Sequence, residues 1–548
     1  MSRTYKISGN KIYFKFSYDI SILSEVKCID SRSYLPATKE WCVENTINNS
    51  KRINNFIKKF NFINNSHEDI KDVSQKDVNV ELEDFCSFFD FSKLKSQPRD
   101  YQKYAINYML TKKCVINGDD VGCGKTYESI FSVEIGNLFP CLVVTLDSVK
   151  EHWRRSWIST KERKIQVLNS GDKFEHGCDI YIINYQSLAK NSQTFGIEIK
   201  YKELENINFK SLIIDESQNC KNSKSLKSKA VKKLSKNISH IFLLTGTAIM
   251  NKPCELMFPL QIIRVFNSLF GGWDSFTKKF CDAKQTQFGI DISGCSNPKE
   301  LNKILRQNCY FRREKKEILN DLPDYQQTLL PIEISNKTLY NKIESNLIKF
   351  LKETKGEYSA NRAENAEFLV LRNELRQSIA LGKIELVKEI VDSILESSKD
   401  KIIIFGIHKQ PLTQLANYYN CWLIDGSVES KDKQLIIDDF KVSKERVLLG
   451  NMNALGTGTD GLQHTSSTMI IFELPDRPSD LTQVLGRLHR SGQKNNVQII
   501  IPIAINTIDE LMWESLEAKR EVTDAINSGK SIKKIDINSL IINRLENK

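Results

Sequence analysis

Long apolar runs are missing from this 548-residue chain. No stretch approaches the ~20 consecutive apolar residues that cross a bilayer, so no helical membrane span is indicated and no membrane partner is expected. The amino terminus, Met1-Ser-Arg-Thr-Tyr-Lys, carries no apolar leader. An intracellular protein is therefore expected, in the cytoplasm, nucleus or nucleoid, and not a secreted one. The 13 cysteines include no Cys-x-x-Cys pair, which points to neither a zinc site nor a disulfide framework. An odd number of thiols scattered through apolar runs reads as reduced core cysteine.

What is present is a chain long enough for about three or four domains. Its hydrophobic content of 40% is enough for large cores. The net charge of +11 and pI near 8.8 are compatible with a polyanionic partner. The chain is rich in Lys, Asn and Ile, and an AT-rich coding sequence gives that bias without a functional cause.

One stretch organises the rest: Gly118-Asp119-Asp120-Val121-Gly122-Cys123-Gly124-Lys125-Thr126. It follows the apolar run Cys114-Val115-Ile116 and precedes a helical segment, Tyr127 to Val133. A strand, a glycine turn and a helix N-terminus put bare backbone N–H groups around an anion. Gly122 and Gly124 let the backbone approach phosphates closely. Lys125 can reach the β- and γ-phosphates, and the Thr126 hydroxyl can ligate Mg²⁺. The strict phosphate-loop pattern has glycine where this chain has Asp119, and the local alternative is a glycine turn with a surface lysine.

Short apolar runs recur after the loop: Cys141–Val144, Tyr181–Ile183, Leu212–Ile214 and Ile241–Leu244. Apolar strands separated by helices predict a parallel sheet buried on both faces, with chemistry at the strands' carboxyl ends. Asp215-Glu216 stands at one such end. Adjacent carboxylates there need a cation or hydrogen bonds. Asp215 can hold Mg²⁺ and Glu216 can deprotonate an attacking water. Thr245-Gly246-Thr247 ends the next strand, either as a γ-phosphate sensor or as a plain turn. The basic stretch Tyr310 to Lys316 reads by itself as a solvated helix face.

A second sheet is predicted from Lys401–Phe405, Cys421–Ile424, Val447–Leu449, Met469–Phe472 and Val497–Ile501, with Pro502 marking the last as an edge strand. It has no phosphate loop. It carries Arg487 and Arg490, three apart and so on one face of a helix. Two guanidiniums there suit a triphosphate across a cleft, and equally suit a solvated surface. Residues 508 to 528 form an amphipathic helix. At the amino end, Lys11–Tyr18 alternates as a strand and Ile20–Val26 fits a short helix. Lys15, Lys27, Arg32, Lys39 and Trp41 interleave basic and aromatic groups, as a nucleic-acid surface or an ordinary small α+β domain would.

With these motifs in order, the chain resembles the Swi/Snf-like ATPases of helicase superfamily two over residues 90 to 530. Pro98–Gln102 is similar to the adenine-reading glutamine motif, with Gln102 as reader. Gly118–Thr126 is similar to motif one of that group, where aspartate at the position of Asp119 is usual. Asp215-Glu216-Ser217-Gln218 resembles the Asp-Glu-Ala-His box with its last two residues changed. Thr245–Thr247 resembles motif three, and Arg312-Arg313 with Leu322-Pro323 a stretch diagnostic of the Swi/Snf group. Gly456 to Gln463 is a looser motif five, and Gln483 to Gln493 a close motif six. The N-terminal residues Phe14, Phe16, Tyr18, Lys27, Ser31 to Tyr34 and Lys39 to Trp41 resemble the HARP unit of the annealing helicases, the HepA-related family.

The resemblance implies an α/β fold: two RecA-like parallel-sheet lobes with helical insertions plus a small N-terminal α+β domain. The expected divisions are 1–62, a linker 63–90, lobe one 91–330, a helical connection 331–384, lobe two 385–530 and a tail 531–548. ATP and Mg²⁺ are the implied cofactors and double-stranded or branched DNA the implied partner, with the chain acting as a monomer. Gln102, Gly122, Gly124, Lys125, Thr126, Arg487 and Arg490 would bind ATP. Lys125, Asp215, Glu216, Arg487 and Arg490 would carry hydrolysis, and Thr126 and Asp215 the metal. Thr245, Gly246, Thr247, Gly458, Gln463 and Gln483 would couple to DNA, with Arg32, Tyr34, Lys39 and Trp41 engaging it from the N-terminal unit. The implied activity is DNA-dependent ATP hydrolysis driving translocation and fork reannealing. Chromatin remodelling, strand separation on DNA or RNA, and a non-catalytic scaffold are the rival uses.

Overall fold

The computed structural model describes residues 3–8, 11–17, 19–26, 29, 32–35, 38–44, 47–65, 84–192, 196–246, 253–286, 289–319, 321–353, 362–456 and 459–528. Tyr18, Lys27, Ser31, Thr247, Thr457, Gly458, most of the expected linker and the tail beyond 528 lie outside the described residues.

Residues 84 to 319 build a parallel seven-stranded sheet. Its order is Tyr310–Phe311, Cys114–Asn117, His240–Leu244, Ser211–Ile214, Cys141–Thr145, Ile180–Asn184, Ile165–Leu168. The unbroken apolar runs are explained by burial on both faces. Val115, Val143, Ile182, Ile213 and Phe242 face one core, with helices Asp100–Lys112, Lys125–Ile135 and Lys150–Thr160. Ile116, Leu142, Val144, Tyr181, Leu212 and Leu243 face the other. Each such fully buried aliphatic side chain contributes about 1.5–3 kcal/mol relative to exposure.

The second sheet is also parallel, in the order Tyr325–Ile332, Val497–Ala504, Thr468–Ile471, Ile402–Gly406, Val447–Asn451, Leu423–Ile424. Ile403, Phe405, Leu448 and Met469 point to one face, and Ile402, Ile404, Leu449 and Ile470 to the other. Helices Lys337–Glu353 and Arg362–Ser397 pack together, with Tyr340, Leu347, Phe368 and Leu375 in the first of these cores.

One strand expected at an edge is corrected here, and three of the expected divisions fall within or beside continuous elements. Val497–Ala504 is not an edge strand: it lies between Tyr325–Ile332 and Thr468–Ile471. Its pairing with Thr468–Ile471 ends at Ile470↔Ile500, so Pro502 sits past that neighbour, where no donor is demanded of it. The division at 330 falls inside the strand Tyr325–Ile332, which pairs along its whole length with Val497–Ala504 and so belongs with the second sheet. Likewise Arg362–Ser397 runs unbroken across the division at 384, and Ile63–Asn64 pairs with Thr4–Ser8, extending the N-terminal unit past 62.

The N-terminal unit is a five-stranded sheet, Arg32–Leu35, Glu40–Glu44, Lys11–Lys15, Thr4–Ser8, Ile63–Asn64, with helices Ile20–Val26 and Ile47–Phe60. Ile12, Phe14, Ile22, Val43, Phe56 and Phe62 form its own core.

Candidate functional site

The strand Cys114–Asn117 ends in the loop 118–124, and the helix Lys125–Ile135 begins directly after it. Gly122 and Gly124 adopt φ of 90° and 89°, a left-handed conformation that a side chain would strain. Lys125 Nζ donates to the carbonyls of Asp119 at 2.5 Å and Asp120 at 3.0 Å, so the ammonium lies under the loop. Thr126 is half-buried on the first turn of that helix.

The departure at Asp119 has a structural cause. Its carboxylate is fully buried and accepts the Arg313 backbone N–H at 2.8 Å and Nε at 3.0 Å, with Nη2 donating as well. The same Nη2 donates to Glu128 at 2.9 Å, and Asn117 donates to Glu128 at 2.6 Å. Burial, then the Asp119 charge, push the Glu128 carboxyl well above the usual range. Arg312 reaches Asp120 at 2.6 Å and the Gly118 carbonyl at 3.2 Å. The charge run at 312–316 is thus not a solvated face. Its two arginines turn inward and clamp the loop, and of its cations only Lys316 stays in solvent.

Gln102 is 5% exposed and lies beside Gly124. Its Oε1 accepts the Arg99 N–H at 3.0 Å and its Nε2 faces the Gly124 carbonyl at 3.4 Å. Tyr101 donates to the Cys123 carbonyl at 2.8 Å.

At the end of strand Ser211–Ile214, Asp215 accepts Thr145 Oγ1 at 3.0 Å, Trp153 Nε1 at 2.9 Å and the Glu216 N–H at 3.0 Å. Glu216 holds a φ of 49° and accepts Gln218 Nε2 at 2.6 Å. Gln218 in turn accepts Thr245 Oγ1 at 2.9 Å. Burial, followed by the neighbouring Asp215, raises the Glu216 carboxyl, which makes it a stronger base.

The second lobe closes on this loop. A methyl at Gly122 would stand 2.8 Å from Arg490 Cβ, and one at Gly486 would stand 2.6 Å from Val121 Cγ1. Arg487 donates to the carbonyls of Gly456 at 2.8 Å and Thr459 at 2.6 Å. Burial and then Arg490 push its guanidinium down to about 10, while Asp460, Glu216 and Asp215 act the other way. Arg490 pairs with Asp460 at 3.2 Å. Lys315 Nζ donates to the His489 carbonyl at 2.6 Å, Arg99 bonds Ser491, and Arg155 reaches Asp438 at 3.9 Å, all between lobes.

The structure thus brings Gln102, Gly122, Gly124, Lys125, Thr126, Asp215, Glu216, Thr245, Gly246, Arg487 and Arg490 to one crevice and its walls. Thr247 and Gly458 lie outside the described residues, and the remaining expected residues stand as follows. Gln463 is 6% exposed and turned back on Asp460 at 3.3 Å and Gly461 at 3.1 Å, so it presents little to a DNA strand. Gln483 is half-buried on the helix Pro478–Leu485. Arg32, Tyr34 and Lys39 are exposed on the N-terminal unit, and the Tyr34 and Trp41 rings lie 5.3 Å apart on paired strands.

Sequence reasoning passed over Gln218, Arg313, Trp153 and Lys315 as site residues. Gln218 was visible as the changed last position of the carboxylate box. Arg313 was visible as part of the stretch diagnostic of the Swi/Snf group, without a role; Trp153 and Lys315 reach the site from other elements, and no local spacing announces them.

Comparison with known proteins follows this geometry. The SNF2-related domain family matches residues 101–380, and the helicase conserved C-terminal domain matches residues 382–492. These are helicase-type ATPase domains, and their site is one that uses a nucleotide. The "SWI/SNF-related matrix-associated actin-dependent regulator of chromatin subfamily A-like protein 1" of Xenopus laevis is 26% identical over 94% of this chain and 54% of its own length. The "DNA annealing helicase and endonuclease ZRANB3" of Bos taurus is 28% identical over 80% of this chain and 41% of its own. The chain therefore spans about half the length of these curated relatives. Among solved structures, the Sulfolobus solfataricus SWI2/SNF2 ATPase core in complex with dsDNA covers 80% of this chain and 95% of its own, at 23% identity and a TM-score of 0.38. Among the described residues, no helix is long and apolar enough to cross a membrane.

Proposed function

This chain belongs to the SNF2-related family, and from that premise we propose that it is a DNA-dependent ATPase that translocates on duplex or branched DNA and reanneals strands or remodels forks. The single observation that carries the catalytic part is the crevice: one lobe supplies Lys125 and Glu216, and the other lays Arg490 directly against Gly122.

In this reading Lys125 leaves the carbonyls of Asp119 and Asp120 for the β- and γ-phosphates, and the N–H groups of the glycine turn cradle them. Thr126 and Asp215 offer hydroxyl and carboxylate oxygens, the donors that a hard divalent cation takes. Asp215 is already oriented by Thr145 and Trp153. Mg²⁺, when bound there with the nucleotide, would neutralise phosphate charge. Glu216 positions the attacking water and accepts its proton. Arg487 and Arg490 place positive charge where negative charge develops in the transition state, and only a closed crevice completes that arrangement.

The chain Glu216–Gln218–Thr245 links the base to the strand end that carries Gly246, a short route by which nucleotide state reaches the surface between the lobes. That the relatives include a named DNA annealing helicase supports annealing over strand separation. The exposed Arg32, Tyr34, Lys39 and half-exposed Trp41 would engage branched DNA from the N-terminal unit, cations on phosphates and rings on unstacked bases. The test is ATP turnover by the full chain with no nucleic acid, single-stranded DNA, duplex DNA, forked DNA and RNA, beside a strand-annealing assay. Greatest stimulation by forked or duplex DNA, with annealing, is expected. Preference for RNA, or net strand separation, would contradict it.

A further inference from the structure

Lys315 lies on the segment that leaves the first sheet at Phe311 and enters the second at Tyr325. Its backbone N–H donates to Asp120 Oδ2 at 3.2 Å, which fixes the residue to the phosphate loop. Its side chain runs across Gly122: Cε stands 3.6 Å from where a methyl on that glycine would be, beside Arg490 Cβ at 2.8 Å. The ammonium donates to the carbonyl of His489 at 2.6 Å, and among the described residues it has no carboxylate ion-pair partner. An ammonium has three donors, so two remain after this bond.

The electrostatic setting is unusual for a lysine. Burial works against its charge and Arg490 and Lys125 add to that effect, while Cys123 and Asp120 act the other way. Three cationic side chains therefore gather round one turn of the phosphate loop: Arg490 is paired with Asp460, while the ammoniums of Lys125 and Lys315 donate to backbone carbonyls. Like charges held together in a half-buried place are costly unless an anion joins them. The base-reading groups are elsewhere: a methyl at Gly124 would meet Gln102 Nε2 at 2.8 Å and the Tyr101 hydroxyl at 3.8 Å. The loop thus has a base end at Gly124 and a cationic end at Gly122.

We propose that Lys315 is a fourth cation of the nucleotide site, beside Lys125, Arg487 and Arg490, bonding the terminal phosphate of ATP and giving up the His489 carbonyl as it does so. The proposal rests on the nucleotide-site reading above and extends it. A diphosphate lacks the anion at the Gly122 end, so Lys315 stays on His489 and the lobes remain tied through that bond. A triphosphate takes the ammonium over and frees the turn that carries Arg487 and Arg490 to set both guanidiniums on the same phosphate, so that the anion replaces the His489 bond as the tie between the lobes. Lys315 then reports triphosphate to the lobe interface from a position in the connecting segment.

The test uses the full chain and two ligands, ADP and the non-hydrolysable β,γ-imido analogue of ATP, in equilibrium binding. Lys315→Met is expected to weaken the triphosphate analogue by about tenfold or more, as loss of a hydrogen bond to a charged group does, with ADP little changed. Lys315→Arg, which keeps the charge and guards against a folding defect in the methionine variant, is expected to retain most of the preference for triphosphate. If both variants keep the wild-type ratio of the two affinities, or if Lys315→Met weakens both ligands equally, the role of Lys315 is overturned while the nucleotide site stands. If the wild-type chain binds neither ligand, the nucleotide reading falls and this role with it.

Discussion

Arg313 shares its guanidinium between two carboxylates with no exposed surface, Asp119 and Glu128. Removing one partner of a buried ionic cluster leaves charge uncompensated, at a cost of about 3–5 kcal/mol. Arg313→Leu should therefore lower the unfolding midpoint of the first lobe and abolish ATP turnover together, measured by thermal melting and phosphate release. Glu128 adds a pH dependence. Its carboxyl is raised in the fold, by burial and then by Asp119, so its contribution to stability is complete below the ordinary carboxylate range and is lost as pH rises towards its folded value. Glu128→Gln should flatten the fall in stability between mildly acidic and neutral pH, read as melting temperature against pH. A steeper fall in the variant would contradict the assignment. At this scale the phosphate loop was legible, because glycine, lysine and threonine carry their chemistry locally. The reason for Asp119 was not, since its partner lies 194 residues away and only the fold joins them.

Between elements, the chain Glu216–Gln218–Thr245 ties the end of strand Ser211–Ile214 to the end of His240–Leu244. Gln218 can donate and accept at once, which a histidine in the family's usual box could also do and an alanine could not. Gln218→Ala should leave nucleotide affinity nearly unchanged but lower DNA-stimulated turnover by about 10²-fold, the lower end of what a positioned proton-transfer group contributes, checked by comparing kcat with and without duplex DNA. Unchanged stimulation would show that the relay carries nothing. The strands themselves were legible as unbroken apolar runs, because a sheet covered on both faces needs no polar alternation. Pro502 misled for a physical reason. A proline forbids a donor at one residue, whereas edge position concerns the whole strand, and here the neighbour simply ends first. The strand Tyr325–Ile332 was not legible because five of its eight residues are exposed and its apolar residues neither alternate nor run together as in the buried strands.

For the whole molecule, the two sheets meet across a cleft of about 1280 Å³ lined by Asp120, Gln218, Gly246, Arg312 and Lys315 from one side and by Arg477 and His489 from the other. Helix Ile508–Ser528 crosses this junction and touches Pro298–Asn308 of the first lobe, which a sequence pattern alone gives no means to foresee. The two-lobed plan was legible from two sets of apolar runs, the first preceded by a phosphate loop and the second without one. The closeness of the lobes was not, because it depends on glycines at 122 and 486 admitting Arg490 and Val121. The account stands on a nucleotide held by the first lobe and completed by the second. Its most direct test is DNA-stimulated ATP turnover by Arg487→Ala and Arg490→Ala, with ATP affinity measured alongside. A loss of about 10³-fold or more in kcat for each, with nucleotide still bound, is expected of arginines that act on the transition state. Turnover at the wild-type rate in both variants would contradict it.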